Sequence, residues 1–250
     1  MLLPSLNIPA AARQVNVCFN MPTLRIISER SESFVNRIEA GQLLANELKL
    51  LSDKNAVVLG IPRGGVIIAN EIAEVLNADL DVVLTHKLGA PGNKELAIGA
   101  VSENGQLYIN KSIAPYVGAD DDYIEQEKKY QLQQIEYKVQ MYRAVLPKLE
   151  LRERIVIVTD DGVATGATMQ AALWSIRQEN PKEIILALPV GPKESVTALS
   201  KDADETVCLR TPPFFDALGR FYLEFSQVED EPLLQILRHE SERRNKNANR

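Results

Sequence analysis

Short apolar runs alternate with amphipathic segments along most of the chain. The apolar runs are rich in valine, isoleucine and leucine, and they predict strands that are buried on both faces of a sheet. These runs are residues 56–61, 81–86, 154–160, 183–190 and 205–209. Between them, apolar residues recur at the three- and four-residue spacing of an amphipathic helix. The helices predicted in this way are residues 34–51, 66–76, 120–146, 168–179 and 194–201.

This order of elements predicts an α/β fold with a mostly parallel central sheet and helices on both faces. Glycine and proline are frequent in residues 88–100, which predicts a long mobile loop, and residues 106–110 fit an edge strand. In open sheets of this class, ligands bind beyond the carboxyl ends of the strands. We therefore expect a site where the loops after residues 61, 86 and 160 meet.

The chain length of 250 residues suits one domain with short attachments. Residues 1–30 are expected to form a loose N-terminal extension, within which Met21 is an alternative start residue to Met1. Residues 31–237 are expected to form the domain. The remaining residues, 238–250, are polar and basic and are expected to form a solvated or frayed tail.

Composition narrows the classes of partner. The net charge of −6 argues against general nucleic-acid binding, which requires a basic surface. No run in the sequence approaches the ~18 apolar residues of a membrane helix. Cys18 and Cys208 form no close-spaced pair, which favours a reducing, cytoplasmic setting, and Cys208 is expected to be a buried packing residue. We expect a cytoplasmic protein with neither a nucleic-acid nor a membrane partner.

The segment "IVTDDGVATGATMQAAL", residues 157–173, contains the chemistry that is easiest to interpret. A loop of small residues and two threonine hydroxyls separates an apolar strand from a helix that starts near Thr168. Such a helix start points free backbone N–H groups into the loop, which predicts a phosphate site. The loop matches neither the Walker pattern nor the dinucleotide fingerprint.

Two adjacent carboxylates, Asp160 and Asp161, precede this loop. They would repel a bound phosphate unless they had another partner, such as the hydroxyls of a sugar or a hydrated magnesium ion. A ligand that combines phosphate, ribose and metal satisfies both parts of the motif. The alternative is a purely structural turn in which the acidic pair caps a glycine-rich connection.

These residues resemble a known family. "VIVTDDGVATGAT" resembles the motif with which type I phosphoribosyltransferases bind 5-phosphoribosyl 1-pyrophosphate (PRPP). "VVLGIPRGGVIIANEIA" resembles their pyrophosphate loop, and "DVVLTHKLGAPGNKELAIGAV" resembles their strand, basic residue and flexible loop. The resemblance covers about residues 30–230 and implies the type I phosphoribosyltransferase fold, with the long helix at 120–146 in addition. The chain is most similar to bacterial proteins described only as predicted phosphoribosyltransferases, whose acceptor is unassigned.

The resemblance also implies roles for individual residues. The 5′-phosphate would be bound by Gly162, Ala164, Thr165, Gly166, Ala167 and Thr168. The ribose hydroxyls would be held by Asp160 and Asp161, near a magnesium ion that PRPP itself coordinates. The pyrophosphate would be bound by Arg63, Gly64, Gly65 and Lys87. Lys87 would neutralise the leaving group and, with the acidic pair, form the catalytic set.

The function implied is transfer of the 5-phosphoribosyl group from PRPP to a nitrogenous base or related acceptor, with Mg²⁺ and release of pyrophosphate. The alternative is a regulatory protein that binds PRPP or a nucleotide without turnover. A homodimer is expected only by analogy with the family. His86 is interpreted as a structural residue. An aromatic group near the last strand could either pack in the core or cover the acceptor base, and packing in the core is favoured. The group contains Phe214, Phe215, Phe221, Tyr222 and Phe225.

Overall fold

A computed structural model describes residues 22–248 of the chain. Six parallel strands form the central sheet, in the order β1–β9–β8–β7–β2–β3, which confirms the predicted architecture. They are β1 (Thr23–Ser28), β2 (Val57–Gly60), β3 (Asp79–Val82), β7 (Ile155–Thr159), β8 (Glu183–Val190) and β9 (Glu205–Arg210). A second, antiparallel sheet contains β4 (Thr85–Ala90), β5 (Asn93–Ser102) and β6 (Leu107–Ile109). The helices are α1 (Arg37–Glu47), α2 (Gly64–Leu76), α3 (Asp121–Arg143), α4 (Ala167–Arg177), α5 (Lys193–Leu199) and α6 (Asp230–Ala248).

Helices cover the central sheet on both faces, because successive side chains of each strand point to opposite sides. In β7, Ile157 packs in the cluster formed with α1 and α2, whereas Val156 and Val158 pack in the cluster formed with α4 and α5. Cys208 is buried in the second cluster, as predicted, and burial raises the pKa of its thiol to about 12. Among residues 22–248, no helix combines the length and the apolar character needed to cross a bilayer.

The glycine-rich segment 88–100 does not form a loop. It forms most of the β4–β5 hairpin, which turns at Gly92 with a positive φ of 73°. Leu88 and Ile98 are fully buried and pack in the cluster that lies under the first turns of α3. The prediction failed because the three glycines and one proline of this segment interrupt a short alternation of apolar residues, which is buried only by packing against α3. The run at 81–86 is likewise divided, since β3 ends at Val82 and β4 begins at Thr85.

The long predicted helix is confirmed as α3, although it ends at Arg143. Its buried residues Ile135 and Tyr142 pack against Leu233 and Leu237 of α6. Arg143 connects this helix to both sheets, with hydrogen bonds of 2.6 Å to Asp81 and 2.7 Å to Glu103.

Both ends of the predicted domain extend further than its boundaries. Residues 23–28, part of the predicted loose extension, form β1 and pair in parallel with β9 from Thr23↔Glu205 to Ser28↔Arg210. This strand lies at the sheet edge and is half exposed, so its sequence lacks a continuous apolar run. Residues 1–21, including the proposed start Met21, lie outside the described residues.

The predicted polar tail is largely helical, because α6 continues to Ala248. Its polar residues have partners in the domain: Glu240 is buried and accepts a hydrogen bond of 3.1 Å from the backbone N–H of Leu80. Arg243 and Arg244 both donate to the same carboxylate. The basic composition of this segment therefore reflects a docked helix with internal ion pairs.

We expect Glu240→Gln to lower the free energy of unfolding by about 1–3 kcal/mol, because it removes the counter-charge of two arginines at a buried position. Urea denaturation followed by circular dichroism measures this loss. The matched control is Glu242→Gln, since Glu242 is exposed on the same helix, and it should change stability by less than about 0.5 kcal/mol. Equal effects of the two substitutions would contradict the docking of α6.

Candidate functional site

The candidate site lies where β2 and β7 end side by side at the carboxyl edge of the central sheet. These strands pair in parallel, and their last residues, Gly60 and Thr159, are register partners. The backbone N–H of Ile61 donates a 3.0 Å hydrogen bond to the carbonyl of Thr159 and extends the pairing by one residue. The loops that follow the two strands therefore leave the sheet next to each other, as expected for a ligand site in this class of sheet.

The glycine turn after β2 touches the acidic pair after β7. A Cβ atom on Gly65 would lie 2.8 Å from the Cα of Asp160, and one on Gly64 would overlap the carboxylate of Asp161. Only glycine allows this approach of the two backbones. The structure thus brings together the predicted pyrophosphate loop and the predicted ribose-binding carboxylates. The peptide bond between Pro62 and Arg63 in this turn is cis.

The two carboxylates have different environments. One oxygen of Asp160 accepts a 2.8 Å hydrogen bond from the backbone N–H of Asp161. Burial raises the pKa of Asp160 well above its usual value, and the charge of Asp161 raises it further. Burial also raises the pKa of Asp161, but the guanidinium of Arg37 opposes that rise. The pair therefore titrates together, with Asp161 the more easily ionised member.

Arg37 is the residue of this site that the sequence did not reveal. It is the first residue of α1, it is buried, and its Nε lies 2.8 Å from Oδ2 of Asp161. Its Nη1 donates to the carbonyl of Ser226, and its guanidinium stacks 4.0 Å from the centre of the Phe225 ring. The contact joins residues 124 positions apart, so no local pattern could indicate it.

The aromatic group near the last strand supports the backbone of the same residue, Asp161. Tyr222 is buried, and its hydroxyl donates a 2.6 Å hydrogen bond to the carbonyl of Asp161. Its ring lies 5.0 Å from that of Phe225 and 5.4 Å from that of Phe34. Phe221 is also buried, whereas the Phe214 side chain is 87% exposed. The core interpretation therefore holds for Phe221 and Tyr222 and is wrong for Phe214.

The small-residue loop between β7 and α4 has the features of an anion site. Gly162 and Gly166 have positive φ angles of 150° and 81°, and α4 begins directly afterwards at Ala167. Within residues 22–248, the backbone N–H groups of Ala164, Thr165 and Gly166 have no hydrogen-bond acceptor. Free N–H groups at the start of a helix attract anions. The side chains of Thr165 and Thr168 are exposed beside them.

The two predicted basic residues have different partners. The Arg63 guanidinium is 3.8 Å from Asp230 and 3.9 Å from Glu229, at the start of α6. Lys87 lies on β4, where its ammonium group is 2.9 Å from the exposed carboxylate of Glu95. Lys87 and Thr168 line the same cleft, whose volume is about 680 Å³. The structure thus brings Lys87 to the cleft beside the small-residue loop and turns the Arg63 side chain toward α6.

The acidic pair alone does not form a metal cage. Among the described residues, no group of three or more histidine, cysteine, aspartate or glutamate side chains has the arrangement of a metal site. Magnesium is commonly bound by one or two carboxylates, with water and substrate phosphates supplying its other ligands. Asp160 and Asp161 fit that mode of binding. They do not fit a site in which the protein supplies most of the metal ligands.

Comparison with known proteins places these features in a family. A family model described as "Phosphoribosyl transferase domain" matches residues 35–225. Two curated proteins of Mycobacterium tuberculosis, one from strain CDC 1551 and one from strain H37Rv, are 39% identical over 204 residues, which are 82% of this chain and 46% of each relative. Their names are "Putative phosphoribosyl transferase MT0597" and "Putative phosphoribosyl transferase Rv0571c". The chain spans about half the length of the curated relatives it matches.

A solved structure is similar over nearly its whole length. The crystal structure of TT1426 from Thermus thermophilus superposes with a TM-score of 0.79 at 44% sequence identity, covering 83% of this chain and 98% of that chain. At this identity and TM-score the two chains share one fold.

We expect Asp160→Asn to raise the unfolding temperature at pH 7. The pKa of this carboxyl is higher in the folded chain than in the unfolded chain. The folded state therefore loses stability as the pH rises above the pKa of the unfolded chain, and asparagine, which does not ionise, removes that loss. The rise should be about 2–4 °C for each kcal/mol gained, and it should shrink at pH 5, where the wild-type carboxyl is more protonated.

Thermal denaturation followed by circular dichroism at the two pH values measures this effect. Asp122→Asn, at an exposed position in the first turn of α3, serves as the control and should give no gain. An Asp160→Asn chain that unfolds at the wild-type temperature or below it at pH 7 would show that burial of this charge is not destabilising.

Proposed function

The chain belongs to the phosphoribosyl transferase domain family, and we propose that it transfers the 5-phosphoribosyl group of PRPP to a nitrogenous acceptor and releases pyrophosphate. The observation that supports this most strongly is that three elements follow one another at one edge of the sheet: free backbone N–H groups, an acidic pair that precedes them in the same loop, and a glycine turn packed against that pair. PRPP contains a phosphate, a diol and a pyrophosphate in the same order.

The 5′-phosphate would bind to the loop before α4. The free N–H groups of Ala164, Thr165 and Gly166, together with the helix start at Ala167, offer donors that require no reorganisation. The carbonyl of Ala164 is held by a 2.7 Å hydrogen bond from the hydroxyl of Ser195 in α5. This bond fixes the loop from the side opposite to the ligand.

The ribose would rest on the acidic pair. Arg37 occupies Oδ2 of Asp161, so the other oxygen of that carboxylate is available to accept from a sugar hydroxyl. Cleavage of the bond between C1 and pyrophosphate leaves positive charge on the sugar, which the adjacent carboxylates favour. Arg37 sets the position of Asp161 and opposes the rise in its pKa that burial causes.

The leaving pyrophosphate would be bound by the turn at Gly64 and Gly65 and by two cations. Arg63 lies near the exposed carboxylate of Glu229 and the half-buried carboxylate of Asp230. Lys87 pairs with the exposed carboxylate of Glu95. Exposed ion pairs are worth little, so a pyrophosphate can replace these partners. Magnesium would supply further charge neutralisation at the leaving group when bound.

The decisive experiment measures PRPP binding by calorimetry and pyrophosphate release with a panel of nucleobases and amines. We expect Asp160→Asn/Asp161→Asn to abolish both, because the diol loses its charged acceptors. Asp121→Asn/Asp122→Asn, an exposed acidic pair at the start of α3, is the matched control and should leave both unchanged. PRPP binding without release for any acceptor would favour the regulatory alternative, and no PRPP binding by the wild type would refute the proposal.

We also expect removal of magnesium to weaken PRPP binding by at least about tenfold, since two carboxylates and a pyrophosphate then repel each other without a counter-ion. Calorimetric titration with PRPP in EDTA, and again after magnesium is restored, measures the change. Free inorganic phosphate binds at the amide loop, away from the metal, and its affinity should change little. Equal PRPP affinity with and without magnesium would contradict a metal-dependent site.

A further inference from the structure

His86 and the helix α3 form a second group of polar residues at the edge of the proposed site. His86 and Lys87 are adjacent residues of β4, which is an edge strand of the antiparallel sheet. Both line the cleft of about 680 Å³ that also reaches Thr168. Cavities of about 300–1,000 Å³ are typical of small-molecule sites.

Glu127 of α3 is the buried anchor of this group. Its side chain is almost entirely buried, yet it receives hydrogen bonds from the Lys94 ammonium and from the Gln131 amide. Burial works to raise the pKa of Glu127, but these hydrogen bonds lower it overall. Glu127 is therefore ionised at neutral pH and can only accept hydrogen bonds.

Because the Glu127 carboxylate can only accept hydrogen bonds, it determines the orientation of the Gln131 amide. The Gln131 Nε2 atom must face the carboxylate, 2.9 Å from its Oε1, which turns the Gln131 Oε1 atom toward His86. That oxygen lies 3.0 Å from Nδ1 of His86. Because the amide oxygen is an acceptor, Nδ1 must bear the proton, and the lone pair of the neutral ring is on Nε2. Among the described residues, Nε2 has no hydrogen-bond partner.

We propose that His86 is the base that accepts, at Nε2, the proton lost by the attacking nitrogen of the acceptor. The inference rests on the proposed function. The acceptor N–H bond breaks, its electron pair forms the new bond to C1 of the ribose, and the C1–O bond breaks with its electrons leaving on pyrophosphate. The proton moves to Nε2, and the imidazolium that forms keeps its Nδ1–H bond to Gln131. Glu127, Gln131 and Lys94 are positioning residues in this scheme.

The electrostatic surroundings suit a base at neutral pH. Burial lowers the pKa of His86, the Gln131 hydrogen bond raises it, and the charge of Lys138 lowers it again. Other charged groups around the ring come from β4, the hairpin and α3: Lys87, Lys94, Glu95 and Glu127. Since the base must be unprotonated, activity should fall only as the pH drops through this lowered pKa.

The tautomer can be measured without any acceptor. The sequence contains two histidines, so a ¹⁵N-labelled full-length chain gives two imidazole spin systems, which His239→Gln assigns. We expect His86 to show a protonated Nδ1 and an unprotonated Nε2 at pH 7.5, with a pKa below 6.5. An Nε2–H tautomer would overturn the inference and leave the proposed function intact.

Kinetics test the step itself. His86→Asn keeps a donor for Gln131 but removes the base, so transfer should slow by on the order of 10²- to 10⁴-fold while PRPP affinity is unchanged. Gln131→Leu removes the hydrogen bond that raises the pKa of His86, so the acidic limb of the pH profile should move to lower pH. Gln134→Leu, at an exposed position of the same helix, should not move it.

The outcomes separate the two proposals. Wild-type PRPP binding with unimpaired transfer by His86→Asn overturns the role of His86 alone. An acidic limb that Gln131→Leu leaves in place does the same. Failure of the wild type to bind PRPP refutes the proposed function and, with it, this inference.

Discussion

Two adjacent carboxylates, largely shielded from solvent at the end of a strand, impose the constraint around which this site is arranged. Burying one such charge without a partner is costly, and burying two is more so. Arg37 compensates Asp161, and α1 must begin at that point to deliver it. The same guanidinium rests on Phe225 and donates to Ser226, so the segment after the last strand is held against the site as well.

A second consequence is that the two ligand loops cannot move independently. The glycine turn at residues 64 and 65 packs directly on the acidic pair, so displacement of one loop displaces the other. The region that would bind pyrophosphate and the region that would bind ribose are thus one packed unit. The cations around it, Arg63 and Lys87, are held more loosely through exposed partners. A rigid packed unit, surrounded by cations that can exchange partners, suits a ligand whose leaving group must be bound and then released.

The antiparallel hairpin and α3 belong to the same arrangement. Tyr123 donates a hydrogen bond of 2.6 Å to the carbonyl of Gly89, and Lys94 bonds to both Tyr123 and Glu127. These contacts fix the hairpin to the helix through polar groups placed above a small apolar cluster. The strand that bears His86 and Lys87 therefore has a defined position relative to the central sheet.

The sequence by itself determined the parallel α/β architecture, the long helix and the loop with the acidic pair, because apolar periodicity and small-residue spacing are local signals. It did not determine the hairpin at 88–100, the strand at 23–28 or the helix beyond residue 237. The apolar or charged residues of these segments are stabilised by partners that lie far away in the sequence. The tertiary structure alone decided the pairing of Arg37 with Asp161 and the orientation of Gln131 toward His86. Such contacts join residues far apart in the chain, and their energy arises from burial and charge compensation, which no window of sequence contains.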